Sequence, residues 1–387
     1  MKIALITETY PPEVNGVAMT LQRLVQELVS RGHCLQVIRV RQGQDDRPNH
    51  SQNLNEILLP GRALPRYPDL RLGLPAGKQL RRLWMQDPPD IVHIATEGPL
   101  GCSALWTARR KKIPVSSSFH TNFHSYGKHY GLGMFRRAAL WSLRFFHNQT
   151  RITLAPTKET CLFLLRAGFQ RPGILGRGVD TRLFAVEKRR SSLRKEWLNG
   201  GSGPVVAYVG RLAEEKNLTL AVRAFEAMKT INPGCRFVLV GDGPMRSRLQ
   251  KKHPHFHFCG SLKGEELAAH YASADVFLFP SRTETFGNVI TEAMASGLAV
   301  IAFDRAAARE HIRHGENGLT VADGDEEGFI KMASTLAKYH SRCAEMRTAA
   351  RETAETLRWE DVAVDFENTL QALLSTEAQA ETRHAIP

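Results

Sequence analysis

The chain has no C-x-x-C pair. Its six cysteines, Cys34, Cys102, Cys161, Cys235, Cys259 and Cys343, are scattered over 387 residues. That pattern argues against a zinc site or a disulfide framework and fits a reducing cytosol. No run approaches the ~20 apolar residues that a membrane-spanning helix needs, so any membrane contact is expected to be peripheral. The first apolar stretch, in MKIALITETYPP, meets Glu8 at once and is too short for a signal peptide. There is no internal repeat and no low-complexity segment. The turn Gly241-Asp242-Gly243-Pro244 lacks the third glycine of a dinucleotide fingerprint. It reads either as a tight strand-to-helix turn beside a ligand base or as a purely structural turn. Acidic residues are scarce between Gly61 and Arg151, where Asp69, Asp87, Asp90 and Glu97 face fifteen Lys/Arg. This segment holds a net +11 of the chain's +13. Such a surface attracts nucleic acid or anionic lipid, or is simply solvated. The chain has no aromatic–basic interleaving and no recognised binding module, so nucleic acid is not expected as a partner.

What is present is a soluble composition and a length that exceeds one core, so two domains are expected. Lys2 to Thr7 reads as a strand. An amphipathic helix follows from about Val17, with Gly32 at its C′ position, and Cys34 to Val40 is the next strand. This βαβ unit implies a parallel sheet. Gln42 to Pro75 is rich in Pro, Gly, Asn and Arg and reads as loops around a short strand, Ile57 to Leu59. Asp90 to Ile94 and Pro114 to Phe119 read as buried strands. Gly131 and Gly133 precede a helix, Met134 to Phe146. A second series begins near Gly203, with strands at Val205–Val209, Arg236–Val240, Phe256–Cys259, Asp275–Pro280 and Leu298–Phe303. Asn217 is a plausible N-cap for a helix Leu218 to Met228. The hinge is placed in Gly173 to Asp180.

The most informative stretch is Ser281 to Gly297, SRTETFGNVITEAMASG, which sets Glu284 and Glu292 with seven residues between them. A buried strand runs straight into it, and open α/β sheets bind ligands beyond the carboxyl ends of their strands. A helix starting near Gly287 would aim free backbone N–H groups at a phosphate. Glu292 would then suit a sugar hydroxyl of a nucleotide and Glu284 a second sugar. A solvated loop with one surface helix glutamate fits the spacing equally well. Arg211 and Lys216 follow the strand Val205–Val209, where two cations could neutralise a departing diphosphate, or be ordinary surface charges. His120 follows a strand end and could donate to a sugar or act in acid–base chemistry. His93, inside an apolar strand, reads as a satisfied core residue. Gly16 lets a backbone approach a phosphate, or is a turn glycine. Asp323-Gly-Asp325 matches a D-x-D metal pattern superficially but reads as a solvated turn, so no metal is expected.

The runs VNGVA, SSFHTNF, VGRL with EEKN, VGDGP, SRTETFGNVITEAMASG and AREHIRHGENG stand in an order that resembles the retaining glycosyltransferases of family 4. The likeness spans nearly the full length. Within the family the chain is similar to enzymes that glycosylate membrane lipids, such as phosphatidylinositol mannosyltransferases and sulfoquinovosyl-diacylglycerol synthases. The resemblance implies the α/β GT-B fold, two Rossmann-like domains with parallel sheets facing across a cleft. It implies an acceptor-binding, membrane-facing domain over 1–175 and a donor domain over 176–360. From 361 to 387 it implies a helix near Trp359 to Leu374 crossing back, then a frayed tail. Arg211 and Lys216 would hold the donor diphosphate and Glu292 the ribose. Glu284 would bind a sugar hydroxyl beside the N–H groups of Phe286, Gly287 and Asn288. Gly16 would approach the phosphate, His120 would lie near the C6 hydroxyl and the reacting centre, and backbone around Leu262 would read the base.

The implied donor is a UDP- or GDP-sugar, used without cofactor or metal, and the implied acceptor is a lipid such as diacylglycerol or phosphatidylinositol. A soluble or polysaccharide acceptor, an inert sugar-nucleotide sensor and a same-fold epimerase are the alternatives. The expected location is the cytoplasmic face of the membrane, held peripherally on anionic lipid through the Arg62–Arg82 region and the Arg136–Phe146 helix. No first-domain carboxylate stands out as a nucleophile, so front-side attack is expected, with the leaving phosphate taking the acceptor proton. One departure from the family is Ala306-Ala307-Ala308, where many members carry a glycine-rich turn.

Overall fold

The computed structural model describes residues 1–13, 15–64, 67–120 and 133–384. The chain divides into two compact units. One is Met1–Arg177 with Trp359–Pro387, and the other is Gly178–Arg358. Both are α/β.

The first unit is built on strands β1 (Lys2–Thr7), β2 (Cys34–Val40), β3 (His50–Ser51), β4 (Leu54–Leu59), β7 (Ile91–Ile94), β8 (Val115–Ser118), β9 (Ile152–Ala155) and β10 (Pro172–Ile174). They run in the order β10-β9-β8-β7-β1-β2-β4-β3, parallel except for the β3–β4 pair. β1 and β2 are apolar and buried along nearly their whole length, as strands covered on both faces must be. The helix Gly16–Ser30 starts because the Asn15 side-chain oxygen Oδ1 accepts from the N–H groups of Val17 and Ala18, 2.9 and 2.8 Å away. It buries Leu21, Leu24, Val25 and Leu28, and Gly32 ends it at φ +85°.

The Gln42–Pro75 region is more ordered than its composition suggests. Besides β3 and β4 it forms an antiparallel hairpin, β5 (Gly61–Leu64) with β6 (Tyr67–Gly73). For the part that ends in β4 the reason is buried charge. Arg39 points inward from β2 and must be paired. Asp46 at 2.7 Å and Glu56 at 2.9 Å supply the pair and draw the segment against the sheet. Helices Gly77–Gln86 and Pro99–Arg110 also exceed the sequence expectation; each anchors a few apolar positions, such as Trp84 and Leu105, among cations. The helix expected over Met134–Phe146 spans Gly133–Asn148. Gly131 and the Arg136 side chain lie outside the described residues.

The helix Trp359–His384 belongs to this unit, not to the one that precedes it in the chain. Ala363, Phe366 and Leu370 are buried with Leu21, Leu24 and Leu28. Glu367 pairs with Arg31 at 2.6 Å. The sequence suggests fraying from Ala378, but the helix continues to His384, through Ala, Glu and Gln, which favour helix.

The second unit holds β11 (Val205–Val209), β12 (Arg236–Val240), β13 (His257–Gly260), β14 (Val276–Phe279), β15 (Ala299–Phe303) and β16 (Leu319–Val321). All are parallel, in the order β13-β12-β11-β14-β15-β16. Asp275, one residue before β14, is 3% exposed and accepts the Val205 N–H at 2.9 Å. Arg194, Arg189 and Arg347 reach its carboxylate at 2.8, 2.9 and 3.2 Å. Those contacts hold the carboxylate below its usual range despite burial. Asn217 occupies the N-cap position of the helix Leu218–Ile231 but makes no side-chain cap bond. It is left-handed, at φ +54°, because it also closes the 3₁₀ turn Glu214–Lys216.

Candidate active site

In the second sheet the strand order reverses between β11 and β14. Such a switch point, beyond the carboxyl ends of the strands, is where open α/β sheets bind ligands. The loop after β11 carries Arg211 and Lys216, and the loop after β14 carries Glu284. Three contacts fix the first loop. The Tyr208 hydroxyl donates to the Arg211 carbonyl at 3.1 Å, and the Leu212 N–H donates to the Asp242 carbonyl at 2.9 Å. The Met245 N–H donates to the Leu212 carbonyl at 2.9 Å. The Gly-Asp-Gly-Pro turn is thus the wall against which that loop rests. A Cβ on Gly241 would lie 2.0 Å from the Gly210 carbonyl oxygen, and one on Gly243 2.5 Å from that of Leu212. Its glycines serve packing, and the structural reading of the turn accounts for them.

Lys216 and Glu284 meet directly, Nζ to Oε1 at 2.5 Å, and the Ser281 hydroxyl donates to the same oxygen at 2.8 Å. Both side chains keep about a fifth of their surface exposed. Beyond Glu284, Gly287 takes φ +91° and caps the helix Asn288–Ala295. The backbone N–H groups of Phe286, Gly287 and Asn288 have no acceptor among the described residues. Arg211 does not join the Lys216–Glu284 pair. It is 56% exposed and reaches Glu215 at 3.4 Å, as a solvated cation does. Glu292 stands on the buried face of its helix, where Oε2 accepts the Tyr271 hydroxyl at 3.0 Å. Burial raises its pKa to about 7. Tyr271 leaves no sequence signal, because it lies on a helix of mostly apolar residues. Leu262 follows β13, half-buried against the core.

The alanine triplet now has a conformation. Ala306 begins the helix Ala306–His311 at φ +49°, and the Ala307 N–H donates to the Phe286 carbonyl at 2.9 Å. The triplet therefore braces the Glu284 loop from behind with a left-handed alanine, a conformation that disfavours any Cβ. Ala306→Gly is expected to stabilise the protein by ~1 kcal/mol, read as a higher urea midpoint. An unchanged or lower midpoint would show that this backbone carries no strain. Asp323 and Asp325 are both exposed at a turn, as expected. Asp323 binds Arg282 at 2.7 Å, and Asp325 caps the helix Glu326–Lys338 through the Gly328 N–H.

In the first unit Gly16 is the first residue of its helix. His93 is fully buried, with its ring nitrogens 2.9 Å from the hydroxyls of Ser116 and Ser118, and is satisfied as expected. His120 follows β8, and its Nδ1 lies 3.2 Å from a guanidinium nitrogen of Arg177. Thr121 and Asn122 lie outside the described residues. Two groups here escape sequence reading. Arg177 is buried, and Glu8, just past β1, accepts the Leu100 N–H at 3.1 Å. Burial lifts Glu8 to about 7. On the surface, Trp141 and Phe145 stack at 5.7 Å, and Trp106 of the helix Pro99–Arg110 joins them at 6.4 Å from Phe145. The three are 59%, 46% and 44% exposed, and Arg109 lies over Trp106. No helix among the described residues is long and apolar enough to cross a membrane.

Comparison with known proteins follows the same division. Residues 14–183 match the family model of Glycosyltransferase Family 4, and residues 203–338 match that of Glycosyl transferases group 1. The chain is 36% identical, over 84% of its length and 85% of the relative's, to a GDP-mannose-dependent alpha-mannosyltransferase of Mycobacterium tuberculosis. It is 27% identical to a GDP-mannose-dependent alpha-(1-6)-phosphatidylinositol monomannoside mannosyltransferase of the same species, covering 96% of this chain and 98% of that one. Among solved structures, sucrose-phosphate synthase from Thermosynechococcus elongatus superposes with a TM-score of 0.78 at 19% identity, over 97% of this chain and 99% of that one.

Proposed function

The chain belongs to glycosyltransferase family 4, and from that premise we propose that it moves a hexose from a nucleotide-diphosphate sugar to a membrane lipid, with retention and without a metal. The observation that carries this reading is the Lys216–Glu284 pair at the switch point, beside three unpaired backbone N–H groups. A diphosphate needs positive charge as it departs, and Lys216 supplies it, with the exposed Arg211 as a second cation. A diphosphate that takes Lys216 frees Glu284 for a sugar hydroxyl. Glu292 keeps Oε1 free among the described residues, and that oxygen suits a ribose hydroxyl. Of the two donor bases, GDP is favoured, because both mannosyltransferase relatives use GDP-mannose.

Retention by front-side attack is part of the reading. Among the described residues of the first unit, Glu8 is a carboxyl group that burial raises to about 7, and it is tied to the Leu100 N–H. We assign it no nucleophilic role. The departing phosphate takes the acceptor proton.

The lipid acceptor is supported by the surface of the first unit. Trp106, Trp141 and Phe145 form an exposed aromatic cluster amid cations that include Arg109, Arg110, Arg137 and Arg144. Aromatic rings with cations around them suit an anionic bilayer interface, where each cation adds ~1 kcal/mol. That surface supports the reading of a peripheral enzyme on the cytoplasmic face. Vesicles containing phosphatidylglycerol are expected to pellet the protein at low salt, and Trp141→Ser with Phe145→Ser to weaken that binding about tenfold or more. Equal binding by the double variant would remove the cluster from the interface.

The test of the reaction is product profiling with radiolabelled GDP-mannose, UDP-glucose, UDP-galactose and UDP-glucuronate against extracted lipids, with and without EDTA. A labelled lipid with the α linkage, unaffected by EDTA, is the expected result. Label found only in water-soluble products would move the acceptor to the soluble class.

A further inference from the structure

Arg177 is a buried cation with no carboxylate partner among the described residues. Its guanidinium donates to the carbonyls of Leu175 and Gly176, at 2.8 and 2.9 Å, and to Nδ1 of His120 at 3.2 Å. Burial lowers its pKa to about 10, which still leaves it charged at neutral pH. A guanidinium has donors and no acceptor. The His120 nitrogen that faces it must therefore be the unprotonated one. Nε2 is buried and has no partner among the described residues. A neutral imidazole carries one N–H, so that proton sits on Nε2, and a buried N–H without an acceptor is costly unless a ligand supplies one.

We propose that Arg177 is a positioning residue that holds His120 neutral with its proton on Nε2, so that His120 meets the donor sugar only as a hydrogen-bond donor. This rests on the glycosyltransferase reading for the identity of the ligand, but not for the tautomer. The chemical consequence is specific. With Nδ1 occupied by Arg177 and Nε2 already protonated, His120 has no free lone pair to take the acceptor proton. It is excluded as the general base, and that proton must leave by another route, as it does when the departing phosphate accepts it.

The surroundings act in the same direction. The titratable neighbours are His93 on β7 and His147 in the last turn of Gly133–Asn148. Burial holds both near 3, so neither is charged at neutral pH. Burial, then Arg177, keep His120 itself well below the usual histidine range. No carboxylate is among the groups that act on it.

Nitrogen NMR of the full-length protein labelled with ¹⁵N-histidine decides the point without any turnover. The His120 signals are assigned as those missing in His120→Asn. In the wild type, Nε2 is expected to show a protonated shift and Nδ1 an unprotonated one, unchanged from pH 5 to pH 9. In Arg177→Met the two shifts should average as the tautomers exchange, and transfer should fall roughly tenfold to a hundredfold in kcat, as for other orienting partners, with the donor KM little changed. Arg177→Lys, which keeps a donor and the charge, should hold the tautomer and most of the rate. A wild-type spectrum with the proton on Nδ1, or an imidazolium near pH 7, overturns the proposal whether or not any variant folds. A fixed Nε2–H tautomer in a protein that transfers no sugar would leave Arg177's role intact and fault the functional reading instead.

Discussion

Lys216→Ala is expected to lower kcat for sugar transfer by about 10²- to 10³-fold, the usual loss when one preorganised group facing developing charge is removed. The ammonium lies at the carboxyl end of β11, one strand from the loop that carries Glu284, and the two side chains already touch at 2.5 Å. That contact means the site holds its own stand-in for an anion before the donor arrives. The alanine variant removes the cation and leaves Glu284 to its Ser281 hydrogen bond. An ion pair that keeps a fifth of its surface in solvent contributes modestly to folding, so the stability read from urea unfolding should fall by less than ~1 kcal/mol. Donor binding should weaken as well, since the same charge holds the ground-state diphosphate. Arg211→Ala should cost less, because Arg211 is more exposed and its partner is only Glu215. If Lys216→Ala retained a tenth or more of wild-type turnover, the diphosphate would have to sit elsewhere.

Asp275→Leu is expected to destabilise the second unit by ~3–5 kcal/mol, the range found when one member of a buried ion cluster is deleted. Three guanidiniums converge on this carboxylate from Arg189, Arg194 and Arg347, and the Val205 N–H completes its shell. Without the acid, three cations face one another around a buried position. Asp275→Asn should be milder, since an amide oxygen still accepts some of the donors. The pH dependence has a definite sign. The folded-state pKa is depressed, so the stabilisation is complete above the unfolded value of ~3.9 and is lost as pH falls through the folded one. Wild-type unfolding in urea should therefore weaken below about pH 4, and Asp275→Leu should lack that part of the acid dependence. A loss below ~1 kcal/mol would mean that the arginines find other partners.

These two residues mark how far local pattern reaches. Lys216 and Glu284 were legible as charged residues in loops just past an apolar strand, a pattern that an ordinary surface cation and a solvated glutamate share. The parallel sheets were legible as runs of apolar residues broken at regular intervals. Asp275 was legible only as the start of a strand. Its partners lie 70 to 86 residues away, and a pairing at that separation leaves no periodicity. Arg177 and Tyr271 were missed on the same account, since burial of a cation or a hydroxyl is a property of the packed molecule. The β5–β6 hairpin was hidden by its Pro, Gly and Arg residues, which break the alternation that marks a strand. Asn217 shows the converse, where the right residue type stands in the right place and another turn claims its backbone.

The return of the helix Trp359–His384 to the first unit has a bearing on biosynthesis. Translation delivers Leu21, Leu24 and Leu28 early, yet Ala363, Phe366 and Leu370, which share their core, emerge only after all of Gly178–Arg358 has been made. A nascent chain thus carries an uncovered greasy stripe throughout synthesis of its second half, and chaperones have that whole interval in which to bind it. Gly178–Arg358 is uninterrupted and can collapse on the ribosome as soon as it clears the exit tunnel, so the half that begins first is completed last.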